Sequence, residues 1–180
     1  MKKLLILFCL IMIMVTTGQA MAEDWKAVQL SLTPGIAIFS EETRIKGFTL
    51  GIWSENPQDA FALGIVNGSS KDSTGFSLGL VNYAESYSGV QWSLFNYAKE
   101  NYAGWGLGIA NVTKGDMKGL QTGVVNYAGK LSGLQLGAFN YADKASGGVQ
   151  IGVINIISDN KWSDFPSGLA PGMVIVNWRF

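Results

Sequence analysis

The sequence predicts an all-β fold, read first as an antiparallel up-and-down β-barrel of about 8–10 strands, with a β-solenoid as the alternative. Three observations carry this. One phrase recurs eight times between Phe48 and Asn155: apolar residues at every second position, a central Gly or Ser, then usually Asn. Its anchors Phe48, Phe61, Phe76, Val90, Trp105, Leu120, Leu134 and Val149 lie 13, 15, 14, 15, 15, 14 and 15 residues apart, so 14–15-residue repeats are stacked as one supersecondary unit. The repeat strands carry no Lys, Arg, Asp or Glu; the charges gather in the segments between them.

In chain order, residues 1–22 read as a secretory signal peptide rather than as fold. Lys2 and Lys3 precede an apolar run from Leu4 to Val15, and Ala20-Met21-Ala22 supplies a small-x-small cleavage site before Glu23. Cys9 follows the bulky Phe8, which argues against a lipid-modified cysteine. Residues 23–180 then form a single β-repeat domain. It opens with strands near Ala27–Thr33 and Gly35–Ser40, or one strand bent at Pro34. The eight repeats follow, and a last strand runs from Gly172 to Phe180.

Within a repeat the period of two assigns the faces. Leu134, Leu136, Ala138 and Asn140 share one face; Gln135, Gly137, Phe139 and Tyr141 share the other. The first face is apolar in every copy, as in Phe76, Leu78 and Leu80. In a barrel it meets lipid and the Gln/Gly face fills the interior, where Gly79, Gly108, Gly123, Gly137 and Gly152 leave room for aromatic rings. Tyr83, Tyr97, Tyr127 and Tyr141 then point inward or sit at the rim. In a solenoid the apolar face turns inward and the Asn residues ladder at one corner. Intervening segments such as Glu85–Gly89, Lys114–Gly119 and Asp143–Gly147 read as turns.

The C-terminus favours the barrel. Val174, Val176, Trp178 and Phe180 share one face of the last strand, and an amphipathic strand ending on Phe resembles the membrane-assembly signal of outer-membrane barrel proteins. The partners expected on that reading are outer-membrane lipid and the barrel-assembly machinery. Two features weigh against it: the connections are uniformly short, and the interior would be almost uncharged.

The repeat core Gly-Leu-Gln-x-Gly-x-x-Asn, as in Gly119-Leu-Gln-Thr-Gly-Val-Val-Asn126 and Gly133-Leu-Gln-Leu-Gly-Ala-Phe-Asn140, resembles the bacterial short surface-repeat family of exported proteins. Val28-Gln-Leu-Ser-Leu-Thr-Pro-Gly35 and Asn177-Trp-Arg-Phe180 are similar to that family's ends. Val90-Gln-Trp-Ser-Leu-Phe-Asn96 departs from the pattern by replacing the central Gly. The resemblance implies a bacterial outer-membrane or cell-surface location and supplies no reaction.

Chemistry is sparse. Residues 23–180 contain neither Cys nor His, which removes thiol and imidazole catalysis and imidazole metal ligation. Taking Lys2 and Lys3 from thirteen basic residues leaves eleven against thirteen acidic, with no basic cluster, so nucleic acid is not an expected partner. The carboxylates Glu41, Glu42, Asp116, Asp143, Asp159 and Asp164 fall in turns, and no Asp-rich calcium loop occurs. The expectation is a non-enzymatic cell-envelope protein without catalytic residues, cofactor or metal. Its role is structural or surface interaction through an unidentified partner. The alternatives are a secreted or surface-attached solenoid binding module and a narrow passive channel.

Overall fold

A computed structural model describes residues 25–180; the expected leader over residues 1–22 lies outside the described residues. The chain is all-β and winds into a β-solenoid, not a barrel. Its strands are β1 (Trp25–Thr33), β2 (Ile36–Ala37), β3 (Arg44–Asn56), β4 (Gln58–Leu78), β5 (Val81–Trp92), β6 (Phe95–Ala98), β7 (Tyr102–Leu107), β8 (Ala110–Thr122), β9 (Val125–Leu136), β10 (Phe139–Ile157) and β11 (Gly172–Arg179), with one 3-10 turn over Trp162–Asp164. Every pairing from β3 to β10 is parallel and places each repeat on the equivalent residues of the next: Leu120 on Leu134, Gln121 on Gln135, Asn126 on Asn140. An up-and-down barrel would pair them antiparallel. Only the ends do so here, where β2 folds back on β1 and β11 on β10.

One phrase makes one coil, and the coil is flat. A short limb such as Leu134–Leu136 runs to a tight corner at Gly137-Ala138, and a second limb, Phe139–Ala142, returns. The chain then rounds a wide edge through Asp143–Gly147 into the next coil. The nine residues that read as one strand are thus two limbs with a fold between them. At the fold the alternation slips by one: Ala138 and Phe139 both face outward, which brings Asn140 inside with Gln135. The segments read as turns are instead largely extended backbone bonded from coil to coil, for example Tyr87 N–H to Asn101 O at 2.9 Å. Differences between 14- and 15-residue coils are absorbed there, at register shifts within Ser69–Asp72, Thr113–Asp116 and Ala145–Gly148.

The interior holds four rows. Asn67, Asn82, Asn96, Asn111, Asn126, Asn140 and Asn155 form an unbroken ladder in which each Nδ2 donates to the Oδ1 of the next at 2.8–3.1 Å. All are buried, so an unpaired amide would carry a desolvation cost of about 1–3 kcal/mol. Beside them runs a glutamine row, where Gln150 donates to Gln135 and Gln135 to Gln121, both at 2.7 Å. Gly106 interrupts it, and Gln121 turns to Thr113 Oγ1 at 3.3 Å and the Tyr127 carbonyl at 3.2 Å. Toward the wide edge lie an apolar row, Tyr87, Tyr102, Met117 and Leu131, and a small-residue row of Ala84, Ala98, Thr113, Ala128 and Ala142. Large side chains of one limb thus meet small ones of the other, and Tyr87 stacks on Tyr102 with ring centroids 6.1 Å apart.

Glycine serves the stacking. Gly75, Gly89, Gly104, Gly119 and Gly133 sit one above another with φ between 115° and 143°, and a Cβ on any of the last four would overlap the carbonyl of the glycine one coil before. The corner glycines Gly79, Gly108, Gly123, Gly137 and Gly152 make room for ladder amides and backbone carbonyls, not for the aromatic rings the barrel reading placed there.

Candidate functional site

With amides inside, the apolar residues are outside. On the first limb, two outward rows run the length of the stack: Phe48, Phe61, Phe76, Val90, Trp105, Leu120, Leu134, Val149 and, nearer the corner, Leu50, Leu63, Leu78, Trp92, Leu107, Thr122, Leu136, Ile151. Parallel register stacks like on like, so Phe48, Phe61 and Phe76 form a continuous pile with centroids 5.7 and 5.1 Å apart. The tight corner adds Ile65, Leu80, Leu94, Ile109 and Val124, and the second limb adds Val81, Phe95, Val125 and Phe139. Exposure at the crest is high for such side chains: 43 % for Leu94, 47 % for Ile109 and 50 % for Val124. Together they make one ridge with two apolar flanks, free of Lys, Arg, Asp and Glu from each repeat anchor to its Asn, or to Ser54 in the first copy.

The wide edge has the opposite character. It carries ion pairs such as Arg44 with Asp59 at 3.1 Å and an open cleft of about 300 Å³ bordered by Asp72, Asp116, Lys118 and several hydroxyls. Among the described residues no group of three or more His, Cys, Asp or Glu gathers in metal-binding geometry. Between edge and ridge stands a row of tyrosines. Tyr83, Tyr97, Tyr127 and Tyr141 point outward, so of the two expected placements, inward or at the rim, the inward one is corrected; Tyr97 and Tyr141 are the most exposed. Their hydroxyls reach toward polar partners: Tyr127 donates to Asp143 at 2.7 Å, Tyr83 donates to Glu55, and Ser158 donates to Tyr141 at 2.8 Å. The bond to Asp143 pushes the Tyr127 phenol up to about 12, and burial together with Glu55 raises Tyr83.

The C-terminal residues singled out from sequence lie on β11. Val176 pairs with Ile151 and Trp178 with Val149, so both continue the first flank by one strand; Val174 and Phe180 are exposed at 66 % and 73 %. Asn177 points inward and accepts from Asn160 Nδ2 at 3.2 Å. Arg179 donates to Asp164 at 2.8 Å, and that bond holds the Asp164 carboxyl below its ordinary value.

Strict alternation carried through the corner places Phe139 on the interior face, whereas it is exposed. The available signal was the pair of apolar residues between the central Gly or Ser and the Asn, as in Gly123-Val-Val-Asn126, one residue too many for a continuous strand. The solenoid alternative erred differently, placing the apolar face inside. Asparagine and glutamine occupy that space because identical amides in parallel register satisfy one another. No protein-family model matches the chain, and no curated protein or solved structure matches it.

Proposed function

We propose that the protein is a non-enzymatic, exported binding module of the cell envelope, a surface-attached solenoid that works by docking through its apolar ridge. The observation carrying this is the ridge itself: apolar rows on both flanks and the crest, continuous over successive coils and uninterrupted by charge. Proteins that remain alone in water rarely expose contiguous apolar patches beyond roughly 300–600 Å², so a ridge of this kind implies a cover. A narrow channel is less well supported, because the interior is filled by amide rows and the cavity between Gln91, Asn96, Asn111 and Gln121 measures only about 10 Å³.

The test is to express the full chain in a bacterial host beside a variant carrying Leu94→Ser, Ile109→Ser and Val124→Ser. These side chains project from the crest, so circular dichroism should be unchanged. The wild type is expected in the envelope fraction and the variant in the soluble fraction. Retention of a folded variant in the envelope would overturn docking through the ridge.

A further inference from the structure

Resting on the docking reading above, we infer that the ridge is covered by lipid: it enters one leaflet of a bilayer edge-on, with the coil axis parallel to the membrane and the charged edge in water. Four observations lead there.

The first is backbone satisfaction at the crest. In hydrocarbon every amide and carbonyl needs a partner within the protein. The corner amides are bonded along the stack: Leu80 N–H to Ile65 O, Leu94 to Leu80, Ile109 to Leu94, Val124 to Ile109, Phe139 to Val124 and Ile154 to Ala138, at 2.8–3.0 Å. Parallel register gives these bonds in any surroundings, and they let the crest enter hydrocarbon without stranding these amides.

The second is shape. The apolar surface is convex and falls away on two sides. Eight coils at about 4.8 Å spacing, with flanks up to about 13 Å tall, give up to roughly 500 Å² per flank. A second copy packed against one flank would cover less than the roughly 800 Å² per partner of a standard interface and would leave the other flank in water. Lipid covers both flanks at once.

The third is depth. From Leu134 to the corner at Gly137-Ala138 is three to four residues, about 10–13 Å, and one leaflet of hydrocarbon is about 15 Å thick. The uncharged part of each coil therefore matches one leaflet, while the charges begin where headgroups would.

The fourth is the boundary. Tyr97, Tyr127 and Tyr141 lie between ridge and charged edge, with Tyr127 bonded to Asp143 and Tyr141 to Ser158 on the polar side. Amphipathic rings at that level are characteristic of the membrane interface. The wide edge mixes Lys114, Lys130 and Lys144 with Glu100, Asp116 and Asp143, so attraction to anionic headgroups is not needed and binding should tolerate salt.

The experiment uses the full chain in a Cys9→Ser background, floated with phosphatidylcholine vesicles at low and high salt. Spin labels are placed singly at Val124→Cys on the crest and Ser146→Cys on the wide edge. The expected result is co-flotation at both salts, with the Val124 label protected from an aqueous nickel relaxant and exposed to oxygen, and the Ser146 label the reverse. Val124→Asp should lower the bound fraction at least tenfold while sparing circular dichroism.

Flotation with both labels open to nickel would overturn insertion. Absence of flotation together with a dimer in ultracentrifugation that Val124→Asp dissociates would overturn lipid and leave docking through the ridge standing. Absence of flotation from a monomer that Val124→Asp leaves unchanged would overturn both.

Discussion

Replacing Asn126 by Leu, which keeps the branch at Cγ but is bulkier and cannot hydrogen-bond, should be among the most destabilising single changes in the stack. Asn126 accepts from Asn111 at 2.9 Å and donates to Asn140 at 2.9 Å and to the Leu136 carbonyl at 3.0 Å. Losing three buried hydrogen bonds at about 1 kcal/mol each, and stranding the Asn140 oxygen, gives a cost of about 4 kcal/mol. Asn111 is spared because its Nδ2 keeps the Thr122 carbonyl at 3.0 Å. The last rung offers an internal comparison: the Asn155 side chain accepts from Asn140 and donates to the Gly152 carbonyl, so Asn155→Leu should cost about 2 kcal/mol. Urea unfolding followed by far-ultraviolet circular dichroism reads the difference as a shift in midpoint. The slope must be checked as well, since a stack of coils can lose its ends before its middle. A cost below about 1 kcal/mol for Asn126→Leu, or a larger cost at Asn155, would refute the ladder as a principal source of stability.

Two further outcomes follow from the interior rows. Gly104→Ala places a Cβ against the Gly89 carbonyl at a φ of 135°, so it should destabilise by about 2 kcal/mol or more, whereas Gly35→Ala meets open space and should be near neutral; thermal unfolding of both variants tests the pair. Burial pushes Tyr87 up to about 12 from an ordinary value near 10 and raises Tyr102 as well. The unfolded chain therefore releases these protons first, stability is complete below about pH 10, and it falls as pH rises toward 12. Midpoints measured between pH 9 and 11 should fall more steeply for the wild type than for a Tyr87→Phe/Tyr102→Phe variant; equal slopes would contradict the burial of the two phenols.

Much of the local structure was legible in the sequence. The period of two marked strands, the interval of 14–15 residues marked the coil, and the outward position of Phe76, Leu78 and Leu80 agrees with the face first assigned to lipid. Strand direction was not legible, because alternation is identical in parallel and antiparallel sheets. The Asn spacing held the discriminating information: residues recurring once per coil meet their equivalents only in parallel register, as Asn111, Asn126 and Asn140 do. In an up-and-down sheet each would lie opposite the far end of its neighbour. The corner was hidden for a different reason. Gly123-Val124 and Gly137-Ala138 look like strand interior until the two limbs are seen to face each other, and only then does the slip that turns Val125 and Phe139 outward become visible. The wide edge was misread because its charged, glycine-rich segments have turn composition, although their backbone is bonded coil to coil in a largely extended form. For the ridge, the sequence displayed its residues and its lack of charge. It could not show that two flanks converge on one crest.

The most direct test of the account is the direction of stacking, and the absence of Cys from residues 23–180 makes it clean. In the solenoid Leu120 lies beside Leu134, at about 4.8 Å between strands, within disulfide reach. Ala142 lies on the other limb, facing inward. In an antiparallel hairpin of the same two repeats, Leu120 would instead neighbour Ala142, which shares its face, and Leu134 would sit at the far end. With Cys9→Ser, the pair Leu120→Cys/Leu134→Cys should form an intramolecular disulfide on mild oxidation and Leu120→Cys/Ala142→Cys should not. The reverse result would contradict the parallel solenoid, and with it the amide interior and the apolar ridge.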